Sequence, residues 1–140
     1  MHVARSDALE PFTTLDGSQI RELAHMGHQT LAEATVPPGG ETFDHFHAFE
    51  EVYYFIAGRG RMRLGDEETE VEAGDCVAIP PGTPHKLWAA PGAPLVLLCA
   101  CAPPYGHEST TMLKAPRRPS GPCSSERSSR SRRWRCRTCP

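Results

Sequence analysis

Hydrophobic and polar positions alternate in short bursts from about Ser18 to Ala102, and Gly or Pro closes almost every burst. The runs are Gln19–His25, Gln29–Val36, Glu41–His47, Glu51–Ala57, Arg61–Leu64, Thr69–Glu72, Cys76–Ile79, Lys86–Ala90 and Leu95–Ala102. Between them stand Asp16-Gly17, Pro37-Pro38-Gly39-Gly40, Gly58-Arg59-Gly60, Gly65-Asp66, Ala73-Gly74-Asp75, Pro80-Pro81-Gly82 and Pro91-Gly92. A period of two is that of a strand with one face buried, and Gly and Pro set the sharp turns between strands. Helical spacing has a foothold only near Ile20–Met26. Many short strands at regular intervals predict an all-β sandwich or barrel. Glu68 to Glu72 alternates acidic with small or apolar residues and reads as a solvated strand face.

The chain of 140 residues suits one domain. Its net charge of −2 conceals two unlike parts. Residues 1–114 hold 7 Lys and Arg against 16 Asp and Glu, a balance of −9, whereas 115–140 hold 8 Arg against Glu126 alone, a balance of +7. An acidic body argues against nucleic acid as the main partner of the folded part. The terminal stretch is rich in Arg, Ser, Pro and Cys, with Trp134 its one large apolar residue, and is expected to be disordered. It reads as a basic tail, as half of a zinc site at Cys136 and Cys139, or, the reading favoured here, as out-of-frame translation. The expected division is an N-terminal segment 1–32 with edge strands, a barrel over 33–114, and the tail 115–140.

The longest apolar run, Leu95–Ala102, is far short of the roughly 20 residues that cross a bilayer. Met1–Phe12 has no apolar core of a secretory leader. A cytoplasmic location is expected, with reduced thiols. Cys76, Cys99 and Cys101 fall in apolar runs and read as small core residues.

Chemistry concentrates between Gly39 and Gly58. His45 and His47 are two apart, so both imidazoles leave the same face of a strand, and Glu51 has the same parity. Glu50 should point outward, unless a bulge exchanges it with Glu51. His85 follows the Pro80–Pro84 turn and stands at a strand entrance. Three imidazoles and a carboxylate suit Fe(II), Mn(II), Ni(II), Co(II) or Zn(II) and leave coordination positions open. His2, His25, His28 and His107 fit no ligand spacing.

Those residues complete two motifs. Gly39, His45, His47, Glu51 and Gly58 match G-x₅-H-x-H-x₃-E-x₆-G, and Gly74, Pro80, Gly82 and His85 match G-x₅-P-x-G-x₂-H-x₃-N, with Ala89 in place of the final Asn. Over roughly Glu33 to Ala102 the chain thereby resembles the cupins. The resemblance implies a double-stranded β-helix, or jelly roll, whose interior holds one divalent transition metal, Fe(II) favoured, on His45, His47, Glu51 and His85. Pro103-Pro104-Tyr105-Gly106-His107-Glu108 resembles a stretch that closes some small bacterial cupins.

Parity extends the expected site. Phe43, Tyr53, Phe55 and Leu87 should wall an apolar substrate pocket, with the Tyr53 phenol orienting a substrate, donating a proton or serving only as a core aromatic. Arg59, Arg61 and Arg63 alternate and would meet a substrate carboxylate or mark a solvated edge. The expected activity is that of a metal-dependent enzyme on a small organic molecule, foremost an Fe(II)-type oxygenase. An isomerase, epimerase or lyase is the second expectation, and a metal or ligand binding module without catalysis the third. A homodimer paired through residues 1–36 is the expected assembly.

Overall fold

The computed structural model describes residues 1–113, and the terminal stretch, with its expected disorder and Cys136–Cys139 pair, lies outside them. Among the described residues eleven strands alternate with tight turns: β1 (Phe12–Thr13), β2 (Gln19–His25), β3 (Thr30–Val36), β4 (His45–His47), β5 (Glu50–Ala57), β6 (Arg59–Leu64), β7 (Glu67–Glu72), β8 (Cys76–Ile79), β9 (His85–Ala89), β10 (Leu95–Ala102) and β11 (Thr110–Met112). Two antiparallel sheets result, one ordered β1-β2-β3-β10-β5-β8 and the other β11-β4-β9-β6-β7. This is the double-sheet jelly roll. The helical foothold at Ile20–Met26 is overruled, because β2 pairs along β3 from Gln19↔Thr35 to His25↔Thr30.

Alternation in sequence becomes alternation in burial. On β5 every second residue from Glu51 to Phe55 is buried, and on β10 Leu95, Leu97, Cys99 and Cys101 all turn inward. Phe55, Leu95 and Leu97 are wholly buried, with Val36 and Met62 beside them in the inter-sheet core. Side chains of this kind stabilise a fold by about 1.5–3 kcal/mol each when fully buried. On β7, by contrast, Val71 alone is buried, as its acidic pattern requires.

The chain crosses from the first sheet to the second at Gly58, the single residue between β5 and β6. Its φ is +81°, and a Cβ there would lie 2.2 Å from the Pro94 carbonyl oxygen. Only glycine accepts both conditions. The crossing carries the β6 arginines onto an interior strand of the second sheet, flanked by β7 and β9. They therefore do not form an edge: Arg61 pairs with Glu68 and lies 4.3 Å over the Trp88 ring, and Arg63 pairs with Asp44.

Cys76 also departs from expectation. It opens β8, an outer strand of the first sheet, and is exposed, while Cys99 and Cys101 are buried. Its parity opposes that of Ile79, the buried residue of that strand.

Candidate metal centre

Three separate folding events bring the histidines together. β4 projects His45 and His47 from one face, leaving Phe46 between them on the other. Antiparallel pairing of β4 with β9 sets His45 opposite His85. The Pro80–Gly82 turn is fastened to β4 by the Gly82 N–H, which donates to the His47 carbonyl at 2.7 Å. The nitrogen donors of His45, His47 and His85 lie within 4.8 Å of one another, and all three residues are buried.

Glu51 approaches from the opposite sheet. Its Oε2 is 3.5 Å from both His47 Nε2 and His85 Nε2. Glu50 is exposed, so no bulge exchanges the two acids. The Cys101 thiol donates to Glu51 Oε1 at 3.4 Å, whereas Oε2 is buried without a hydrogen-bond partner. A buried carboxylate oxygen left so is costly, and a cation held between it and the imidazoles would satisfy it. Donors about 2.1 Å from one divalent ion stand about 3.0–3.4 Å apart in octahedral or tetrahedral arrangements. The observed 3.5 Å separations are close to that spacing.

Imidazole orientation fits the same role. His45 Nδ1 donates to the Phe43 carbonyl at 2.8 Å, His85 Nδ1 to the Thr83 carbonyl at 3.0 Å, and His47 Nδ1 to Thr110 Oγ1 at 3.0 Å. Thr110 passes its own proton to the Gly106 carbonyl at 3.4 Å. With the Nδ1 proton committed, each Nε2 keeps its lone pair for the interior. Burial lowers the His47 pKa to about 4 despite the nearby Glu51. Burial also lowers that of His45, reinforced by His85. Both rings are therefore neutral near pH 7, the state a metal requires.

His45, His47 and Glu51 line a cavity of about 560 Å³, its open mouth included, whereas His85, 1% exposed, is not among its lining residues. Tyr53 and Leu87 line it as parity required. The Tyr53 hydroxyl is 3.3 Å from His85 Nε2, and burial, with Glu51 nearby, holds its pKa well above the ordinary phenol value.

Two expected wall residues do not line the cavity. Phe55 is wholly buried but packs in the core beyond it. Phe43 is 60% exposed, because residues 42–44 are not in a strand and the alternation slips there: Thr42 and His45, three apart, both turn inward. Sequence reasoning missed Asp16, Phe49, Tyr105 and Thr110. Phe49 stacks on His47 with centroids 4.5 Å apart, and the others line the cavity. Tyr105 belongs to the closing stretch already singled out, whereas the Asp16-Gly17 pair gave only the signal of a turn. His2, His25, His28 and His107 are exposed and none joins the donor set, His25 resting against Glu22 and His107 against Tyr105.

Comparison with known proteins agrees with this geometry. The Cupin domain family matches residues 32–101. An uncharacterised protein of Methanocaldococcus jannaschii is 47% identical over 114 residues, covering 77% of this chain and 91% of its own. An acireductone dioxygenase of Picosynechococcus is 32% identical over 98 residues, covering 63% of this chain and 52% of its own, about half its length. Among solved structures, the polyketide cyclase RemF of Streptomyces resistomycificus superposes with a TM-score of 0.70 at 22% identity, over 84% of this chain and 88% of its own.

Proposed function

This chain belongs to the cupin family, and from that premise we propose that it is a metal-dependent enzyme acting on a small organic molecule, foremost an Fe(II)-type oxygenase. The observation that carries the reading is the Glu51 Oε2 atom, buried and unpartnered between two histidine Nε2 atoms in a cavity that opens to the outside. His45, His47, Glu51 and His85 would hold the ion, which supplies Lewis acidity and, if iron, a redox centre. The surrounding chain does the rest. Phe43, Thr83 and Thr110 fix the three ring orientations, the Cys101 thiol aims Glu51, and the apolar wall of Val36, Leu87 and Leu97 limits water. The acireductone dioxygenase relative supports the oxygenase form of the reading.

A second reading, isomerase, epimerase or lyase, draws on the Tyr53 hydroxyl, which stands beside the donor set and keeps its proton well above neutral pH. Among the described residues no helix is long and apolar enough to cross a membrane. For the assembly we retain a homodimer, with β1 and β2 at one edge of the first sheet offering the pairing strand.

The test is metal analysis of protein purified without a histidine tag, followed by an oxygen-uptake screen. The oxygenase reading expects iron at one ion per chain and oxygen consumption with a substrate. Zinc or nickel without oxygen uptake overturns it, and turnover under argon transfers the case to the second reading. A ligand that binds tightly and emerges unchanged marks a binding module.

A further inference from the structure

Asp16 occupies the turn between β1 and β2, yet it is only 8% exposed. Its side chain lines the cavity. The turn is anchored there by the Phe43 N–H, which donates to the Asp16 carbonyl at 2.7 Å, and by the Phe43 ring packed against Gly17. The two carboxylate oxygens have unlike surroundings. Oδ1 collects the Thr14 hydroxyl, the Ser18 hydroxyl at 2.8 Å and the Ser18 N–H at 3.2 Å. Oδ2 receives none of these and sits 3.9 Å from His45 Nε2, at the donor set. Three donors on one oxygen hold the group rigidly and leave the other as a fixed acceptor facing whatever occupies the cavity.

The remaining lining sharpens the chemistry. Among the described residues no Lys or Arg lines the cavity, and the hydroxyls of Thr14, Ser18 and Thr110 on its wall are already spent on Asp16 and His47. A divalent ion would be balanced by Glu51 and Asp16 together, leaving no net positive charge to hold an anion. A site for phosphate or a pendant carboxylate is normally furnished with Arg or Lys. This cavity instead offers, at Asp16, a carboxylate oxygen that none of those hydrogen bonds occupies.

We propose that Asp16 is the specificity-determining residue of the cavity: its Oδ2 accepts a hydrogen bond from a hydroxyl of a neutral, hydroxyl-bearing substrate, and its charge turns phosphate- and carboxylate-bearing molecules away. The inference rests on the metal-centre reading, since the substrate is placed by the ion that the histidines hold. Asp16 is a positioning group in this scheme and not a ligand of the ion.

The test uses the full chain loaded with Co(II), whose visible absorption reports binding, and two probes of opposite character, azide as an anion and cis-1,2-cyclohexanediol as a neutral diol. Asp16→Asn keeps the shape and an acceptor for Thr14 and Ser18 while removing the charge. Asp16→Ala is the second variant, and thermal melts establish that each is folded. Expected are an unchanged Co(II) content, azide affinity raised about tenfold or more, and cyclohexanediol affinity lowered about tenfold. Glu50→Gln removes the same charge from the outer face and should change either affinity less than twofold. Affinities that stay put, or that move in the same direction for both probes, overturn the proposal. Loss of Co(II) from Asp16→Asn also overturns it, by making Asp16 a ligand. Wild-type protein that takes up no metal overturns the metal-centre reading itself and this inference with it.

Discussion

Thr110 and His47 are direct register partners across the β11–β4 pair, and the threonine Oγ1 lies 3.0 Å from the histidine Nδ1. Sixty-three positions separate them in sequence. The last described strand thus reaches back to orient a ring of the first motif. Thr110→Val keeps the shape and deletes the acceptor, leaving a buried N–H unsatisfied. Metal affinity should fall about 10–100-fold, as for other losses of a partner behind a ligating histidine. Chelator competition measures it, and Thr110→Ser should restore most of the loss. Equal affinities for the wild type and the valine variant would show that the bond does not orient the ring.

The two adjacent acids make a sharper pair of variants. Glu51 is 4% exposed with Oε2 between two imidazoles, and Glu50 points to solvent. Glu51→Gln replaces a charged donor with a neutral amide and should lower metal occupancy at least tenfold at limiting metal. Glu50→Gln should leave occupancy unchanged. Elemental analysis after dialysis reads both, and a reversal of the two results would place the ligand on the wrong acid.

Gly60 tests the packing of the two sheets. A Cβ at this position would meet the Trp88 carbonyl oxygen at 2.2 Å and the Leu95 side chain at 3.0 Å. Backbone cannot yield as a flexible side chain does, so Gly60→Ala should destabilise by about 1–3 kcal/mol. In a domain of this size that lowers Tm by about 4–8 °C for each kcal/mol. A melt within one degree of the wild type would mean that β6 and β9 have room the geometry denies.

These variants also show why part of the molecule was legible from sequence and part was not. His45, His47 and Glu51 obey strand parity, and local parity is a property of the chain itself. So was the assignment of Tyr53 and Leu87 to the cavity wall. Phe43 defeated the rule because residues 42–44 leave the strand, and a single irregular residue reverses every inward assignment beyond it. Cys76 was read from its apolar neighbours, but the face of a strand is set by register, here the pairing of Cys76 with the exposed Tyr54. Asp16 and Thr110 were invisible for another reason. Each acts across a long loop closure, and nothing in a turn or a three-residue strand announces what it will face.

Acid should unfold the metal-stripped protein more readily, for a reason visible in the histidines. In the unfolded chain an imidazole takes up its proton near 6.5, whereas buried His47 does so only near 4. Between those values the unfolded state binds more protons than the folded one, so stability rises with pH across that window. It is present in full above about pH 6.5, is lost as the pH falls towards 4, and levels off below. One such proton changes stability by at most about 1.4 kcal/mol per pH unit. His45, lowered by the same burial, acts in the same direction. Urea titrations of chelator-treated protein at pH 7.5 and 5.5 measure the effect, and His47→Gln should flatten part of the slope. A metal-stripped protein as stable at pH 5.5 as at 7.5 would mean that His47 already shares a proton within the folded cluster, against the burial that keeps the ring neutral.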